Sequence, residues 1–236
     1  MKTPFKVNDI VPWGLNLKAY QSFFRLTETD LKKRIISFGD GPASFNYEMT
    51  LNHCNVTSLD AIYRFNKEEI SHQFLASRRE MMKQIKKNTP HYNWTDIKNI
   101  QKLARISMKA LNLFLNDFES GKSQGRYIYH ELPHPTPFST LEFDMGLSAH
   151  FLISHAQLGL SFHLDAITEM LRICKEIRLF PLLDLSGELS SVLYGIIEYF
   201  KSGYQVEILP VDYEFQRNGN RMLSIKQFPP FKYFKN

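Results

Sequence analysis

Three short runs place chemically capable residues close together. The first is Gly39-Asp40-Gly41-Pro42-Ala43-Ser44, joined further along by Asp60. Glycines in a tight turn let backbone approach a ligand, and a carboxylate ending the next strand can accept hydrogen bonds from sugar hydroxyls; together they fit a loose nucleotide fingerprint. A pyrophosphate, however, needs free N–H donors and no nearby anion. Asp40 adds charge, Pro42 removes a donor, and Ser44 stands where a third glycine belongs, so the residues argue against a dinucleotide. The second run, Ser148-Ala149-His150-Phe151-Leu152 with His155 beyond it, carries two imidazoles whose free pKa near neutrality suits removal of a proton. His150 is the first candidate for a catalytic base and His155 the weaker one; the alternative for both is a structural histidine. The third run, Tyr213-Glu214-Phe215-Gln216-Arg217 with Asn220, mixes side chains that can read a substrate or simply build a turn.

These residues need elements to hold them. Arg34 to Phe38 is a short apolar run expected as a strand, and Pro42 falls where the first residue of the following helix is expected. Asn55 to Asp60 reads as a second strand, parallel to the first. From Asn66 to about Ser120 the pattern is helical, broken at Pro90. That is far longer than a crossover requires; such an insertion could cap an acceptor site, extend the core or make a dimer contact. Strands are expected at Arg126–His130, Phe143–Ser148 and Ile177–Phe180, with a helix over His163–Lys175. A helix over Val192–Phe200 and strands at Tyr204–Leu209 and Arg221–Ile225 follow, the last two an antiparallel hairpin through Asn218-Gly219-Asn220. Alternating strands and helices imply an α/β fold on a mostly parallel sheet. Ligands of such sheets sit at the carboxyl edge, which is where His150, Asp184 and the loop carrying Tyr213, Glu214 and Arg217 are expected.

The chain has 236 residues, 43% hydrophobic and 14% aromatic, enough for one large domain over 1–236 with a helical insertion at about 66–120. The segment at about 1–33, with Trp13 and Tyr20, could form a lid. Neither a signal peptide nor a membrane span is read, so a cytoplasmic protein is expected. Cys54 and Cys174 read as free thiols, with no metal expected. The formal charge of +5 reads as scattered, so nucleic acid is permitted but not implied.

Taken together, Pro12-Trp13-Gly14, the run Gly39 to Asn46, Phe143-Asp144, Ser148 to Leu152, and Tyr213 to Arg217 with Gly219-Asn220 resemble a little-characterised group of bacterial S-adenosylmethionine (SAM)-dependent methyltransferases. The resemblance runs from about Val11 to Ile225. It implies a Rossmann-like, seven-stranded class I methyltransferase sheet, mostly parallel with an antiparallel last strand. It further implies SAM at Gly39, Asp40, Gly41, Pro42 and Ala43, with Asp60 on the ribose hydroxyls and Ser148 lining the site. Two departures stand out: Ser37 where an acidic residue is usual, and Ala43 in place of a third glycine. Asp40 could offset them by attracting the ammonium and sulfonium of SAM. Tyr63 and Arg64 could flank the adenine. The acceptor is expected to be a small molecule, with RNA, protein, or noncatalytic binding of SAM or a nucleotide as alternatives.

Overall fold

The computed structural model describes residues 15–228. Pro12, Trp13 and Gly14, and the tail from Pro229, lie outside the described residues. The elements are α1 (Leu17–Phe24), α2 (Glu28–Leu31), β1 (Ile35–Phe38), α3 (Phe45–Leu51), β2 (Val56–Asp60), α4 (Lys67–Lys87), α5 (Ile100–Ser123), β3 (Tyr127–Tyr129), β4 (Phe143–Ala149), α6 (Leu160–Ile173), β5 (Cys174–Phe180), α7 (Leu193–Phe200), β6 (Gln205–Pro210) and β7 (Arg221–Lys226). One sheet runs β3-β2-β1-β4-β5-β7-β6. The first five strands pair in parallel, and β7 lies antiparallel between β5 and β6. This is the expected Rossmann-like seven-stranded sheet, mostly parallel with an antiparallel last strand.

β1 is buried at every position because both sheet faces are covered, as in other parallel sheets. The period of two then sends its residues into different cores: Ile36 and Phe38 pack with α6 and α7, while Ile35 packs with α1 and α3. Among the described residues, no helix is long and apolar enough to cross a membrane.

Boundaries differ from the sequence expectation at the first turn and around α6, which begins at Leu160. Pro42 is not the first residue of a helix: α3 begins at Phe45. The turn consumes more chain because Gly39 and Gly41 both adopt positive φ, at 64° and 59°. Helix α6 stops at Ile173, and Cys174 is already extended, so β5 starts earlier than its most apolar residues suggest.

The insertion is a pair of long helices. Near the sheet it is pinned by Asp117 of α5, which takes both guanidinium nitrogens of Arg126 at 2.6 Å and the Tyr127 hydroxyl at 3.0 Å. At its far end Ile85, Ile97 and Leu103 pack around Phe215 from the β6–β7 connection.

Candidate functional site

The turn after β1 is held from below by the end of β2. Asp60 accepts the Gly41 N–H at 2.7 Å and the Ile62 N–H at 2.8 Å, and the Tyr63 hydroxyl donates to the Gly41 carbonyl at 2.8 Å. Gly39 continues the ladder by donating to the Leu59 carbonyl at 2.8 Å. Its positive φ is not the only need for glycine there: a Cβ would stand 2.3 Å from the Phe151 ring. At Gly41 the space beyond a Cβ is open, with no atom of the described residues within 4 Å. The turn therefore presents a bare backbone face beside a carboxylate. Burial pushes Asp60 up to about 6, against the pull of its two backbone donors, and the charge of Asp40 adds to the rise.

The expectation that Asp40 faces a cationic ligand needs correcting. Its carboxylate is buried under the turn, where Ser37 donates at 2.7 Å, Ser58 at 2.5 Å, and the Tyr20 hydroxyl donates as well. Burial raises its pKa, and the three hydroxyls oppose the rise. The network continues through Ser58 to Asn46, whose amide also bonds the Val56 and Arg126 carbonyls at 3.1 Å, and from Asn46 to Arg126. Much of the Gly39–Asn46 run is thus fold-holding: Pro42 and Ala43 are buried, and Ser44 bonds Glu48 at 2.6 Å. Tyr20 is likewise core rather than lid, stacked on Phe45 at 4.0 Å between ring centroids. Tyr63, spent on Gly41 and packed among Phe114, Phe118 and Tyr127, is unavailable to an adenine; Arg64 lies over Phe65 and pairs with Glu131 at 3.4 Å.

At the end of β4, Ser148 is 1% exposed and its hydroxyl has no hydrogen-bond partner among the described residues, although buried hydroxyls are normally satisfied. Two residues on, His150 takes φ 53° and donates its backbone N–H to the Phe180 carbonyl at 2.6 Å, which ties the ends of β4 and β5 together. Its ring stands edge-on to Phe23 and Phe180, at 5.3 and 5.4 Å. Burial pushes its pKa down to about 3. A pocket opens here, lined by His150, Phe180, Pro181, Tyr213, Gln216 and neighbouring residues. His155 is buried elsewhere, its Nδ1 2.8 Å from the Phe151 carbonyl.

The β6–β7 connection divides. Tyr213 reaches the pocket, its ring 4.6 Å from Phe23, and burial raises its hydroxyl pKa. Glu214 instead accepts the Asn218 N–H at 2.8 Å, and Arg217 donates to the Pro90 carbonyl at 2.6 Å, so both act as turn and insertion contacts. Asn220 serves through its backbone carbonyl, which accepts from Val211. Asp184 closes its own loop by accepting from Ser186 at 2.8 Å. Phe180 and Pro181 were absent from the sequence-derived candidates; their signal is position alone, the carboxyl end of a central strand.

No family model matches the chain. The uncharacterized protein MJ0045 of Methanocaldococcus jannaschii is 33% identical over 225 residues, which cover 94% of this chain and 98% of that protein. The chain belongs to the MJ0045 family. This relative is archaeal, whereas the sequence likeness was to a bacterial group. Among solved structures, a SAM-dependent methyltransferase from Aquifex aeolicus is 14% identical at a TM-score of 0.39, covering 89% of this chain and 92% of that one. TrmN from Thermus thermophilus is 14% identical at 0.49, covering 94% and 52%. A SAM-dependent methyltransferase from Methanosarcina mazei is 12% identical at 0.43, covering 84% and 93%.

Proposed function

We propose that this member of the MJ0045 family is a SAM-dependent methyltransferase. The observation that carries the reading is the strand order with β7 alone antiparallel, combined with a glycine turn and Asp60 at the adjacent carboxyl ends of β1 and β2. The residues fit the cofactor. A carboxylate has about four lone-pair positions, and Asp60 uses two on backbone, leaving capacity for the ribose hydroxyls. Gly41 leaves open space beside a backbone whose N–H and carbonyl are held by Asp60 and Tyr63, and Ser148 offers a buried hydroxyl without a partner among the described residues. When bound, SAM supplies a methyl group on a carbon already activated by its sulfonium.

The protein's own work is then to orient the acceptor and keep water out. Phe180, Pro181 and Tyr213 supply apolar walls beside the β4 end. His150, with its pKa near 3, stays neutral at pH 7; it positions an acceptor through a hydrogen bond rather than storing a proton. This replaces the general-base role that its free pKa suggests.

Calorimetric titration of the whole chain with SAM and with NAD, on the native protein and Asp60→Ala, tests the reading. Micromolar SAM binding, no NAD binding and at least a tenfold loss in the variant are expected. The pH dependence has a definite sign. Asp60 loses its charge as pH falls through about 6, and with it the acceptor the ribose needs, so SAM affinity is full at pH 8 and reduced at pH 5. Absence of SAM binding by the folded protein at pH 8 would sink the proposal and favour a noncatalytic role.

A further inference from the structure

The charge of this protein is concentrated, not scattered as the sequence suggests when counted over the whole chain. Between Arg78 and Lys109 the sequence holds Arg78, Arg79, Lys83, Lys86, Lys87, Lys98, Lys102, Arg105 and Lys109 against only Glu80 and Asp96, a net +7 where the whole chain carries +5. The rest of the molecule is therefore slightly acidic. On α4, Arg79, Lys83, Lys86 and Lys87 follow helical spacing and are all exposed, opposite the buried Phe74 and Ile85. On α5, Lys102, Arg105 and Lys109 do the same, opposite Leu103, Ala110 and Phe114. Among the described residues, Arg79, Lys86, Lys87, Lys98, Arg105 and Lys109 enter no ion pair.

Position makes the charge meaningful. The same stretch packs its apolar side onto the β6–β7 connection: the Asn93 N–H donates to the Phe215 carbonyl at 2.7 Å, the Arg217 N–H to the His91 carbonyl at 3.0 Å, and Tyr92 packs on Phe215 at 5.0 Å. Tyr213 belongs to this insertion cluster and also walls the pocket at His150. The basic stretch is thus joined, through its apolar side, to the connection that leaves the sheet's carboxyl edge.

We propose that the outer half of the α4–α5 insertion is an RNA-docking surface. That the docked RNA is also the methyl acceptor rests on the methyltransferase reading; the docking does not. Uncompensated cations on two helices suit a polyanion, whose binding releases counterions. RNA supplies bases already unstacked in loops, whereas a DNA duplex would have to pay for extruding one.

The test uses fluorescence anisotropy of a labelled RNA hairpin with an unpaired loop, and a duplex DNA of the same length, with the full chain at 50 to 200 mM KCl. Lys86→Glu, Lys87→Glu, Arg105→Glu and Lys109→Glu are combined in one variant; Lys18→Glu with Lys32→Glu is the control. The hairpin should bind with a steep salt dependence. The combined variant should lose at least tenfold in affinity and flatten the salt slope by roughly 0.7 per phosphate contact removed. It should titrate SAM as the native protein does and melt as a folded protein, and the control should bind RNA normally. Unchanged RNA affinity in the combined variant, an equal loss in the control, or equally tight binding of duplex DNA would overturn the proposal. Charge-dependent RNA binding without any SAM binding would uphold the surface and refute the methyltransferase.

Discussion

Asp40 gathers three buried hydroxyls, from Tyr20, Ser37 and Ser58, and so joins α1, β1 and β2 beneath the candidate cofactor turn. Its neighbour in function, Asp60, bonds two backbone N–H groups instead, one of them from Gly41. The two carboxylates therefore predict different failures. Asp40→Ala strands three buried hydroxyls at once; at roughly 1–3 kcal/mol for each buried polar group left unsatisfied, with partial rearrangement, a loss of about 3 kcal/mol is expected in urea unfolding. A loss below 1 kcal/mol would show that the network is dispensable. Asp60→Ala should act mainly on SAM affinity. Sequence alone did not separate these roles. Both are acids near glycines, and which way each carboxylate turns depends on φ at Gly39 and Gly41 and on hydroxyls that arrive from other elements.

At the level of elements, the insertion is attached at two ends by different physics. Near the sheet the bond is polar, through Asp117, Arg126 and Tyr127; at the outer end it is apolar, through Phe215 seated among Ile85, Ile97 and Leu103. Phe215 is 4% exposed, and truncating such a side chain typically costs about 3–5 kcal/mol. Phe215→Ala is expected to lower stability by an amount in that range and to speed amide exchange at residues 88–99, which lose their apolar anchor while the Asp117–Arg126 end stays protected. Uniform exchange acceleration over both ends would mean the pair docks as one unit. The helical spacing from Asn66 onward and the break near Pro90 were legible in the sequence. The choice among capping the site, extending the core and making a dimer contact was not, because periodicity marks an apolar face without saying what meets it.

Across the whole molecule, positive charge crowds onto one appendage while the remainder is near neutral or slightly acidic. Like charges on adjacent helix faces repel, and salt screens exposed pairs over a Debye length of about 10 Å at 0.1 M. The melting temperature is therefore expected to rise as KCl increases from 0.05 to 0.5 M, measured by scanning calorimetry; a flat response would mean the repulsion is already relieved. This asymmetry was present in the sequence and is found by counting charge in a window rather than over the chain.

The sequence by itself determined the alternation of strands and helices, the parallel sheet with its antiparallel end, and the turn at Gly39 to Ser44, because these rest on local periodicity, glycine backbone freedom and short connections. Tertiary structure alone decided which of the marked residues meet. His150, Phe180, Tyr213 and Gln216 form one pocket although they come from the loop after β4, the end of β5 and the β6–β7 connection, while Asp40, Tyr20, Tyr63 and Glu214 turn to satisfy buried or backbone groups. A side chain's direction is set by what packs around it, and for these residues the partners lie far along the chain.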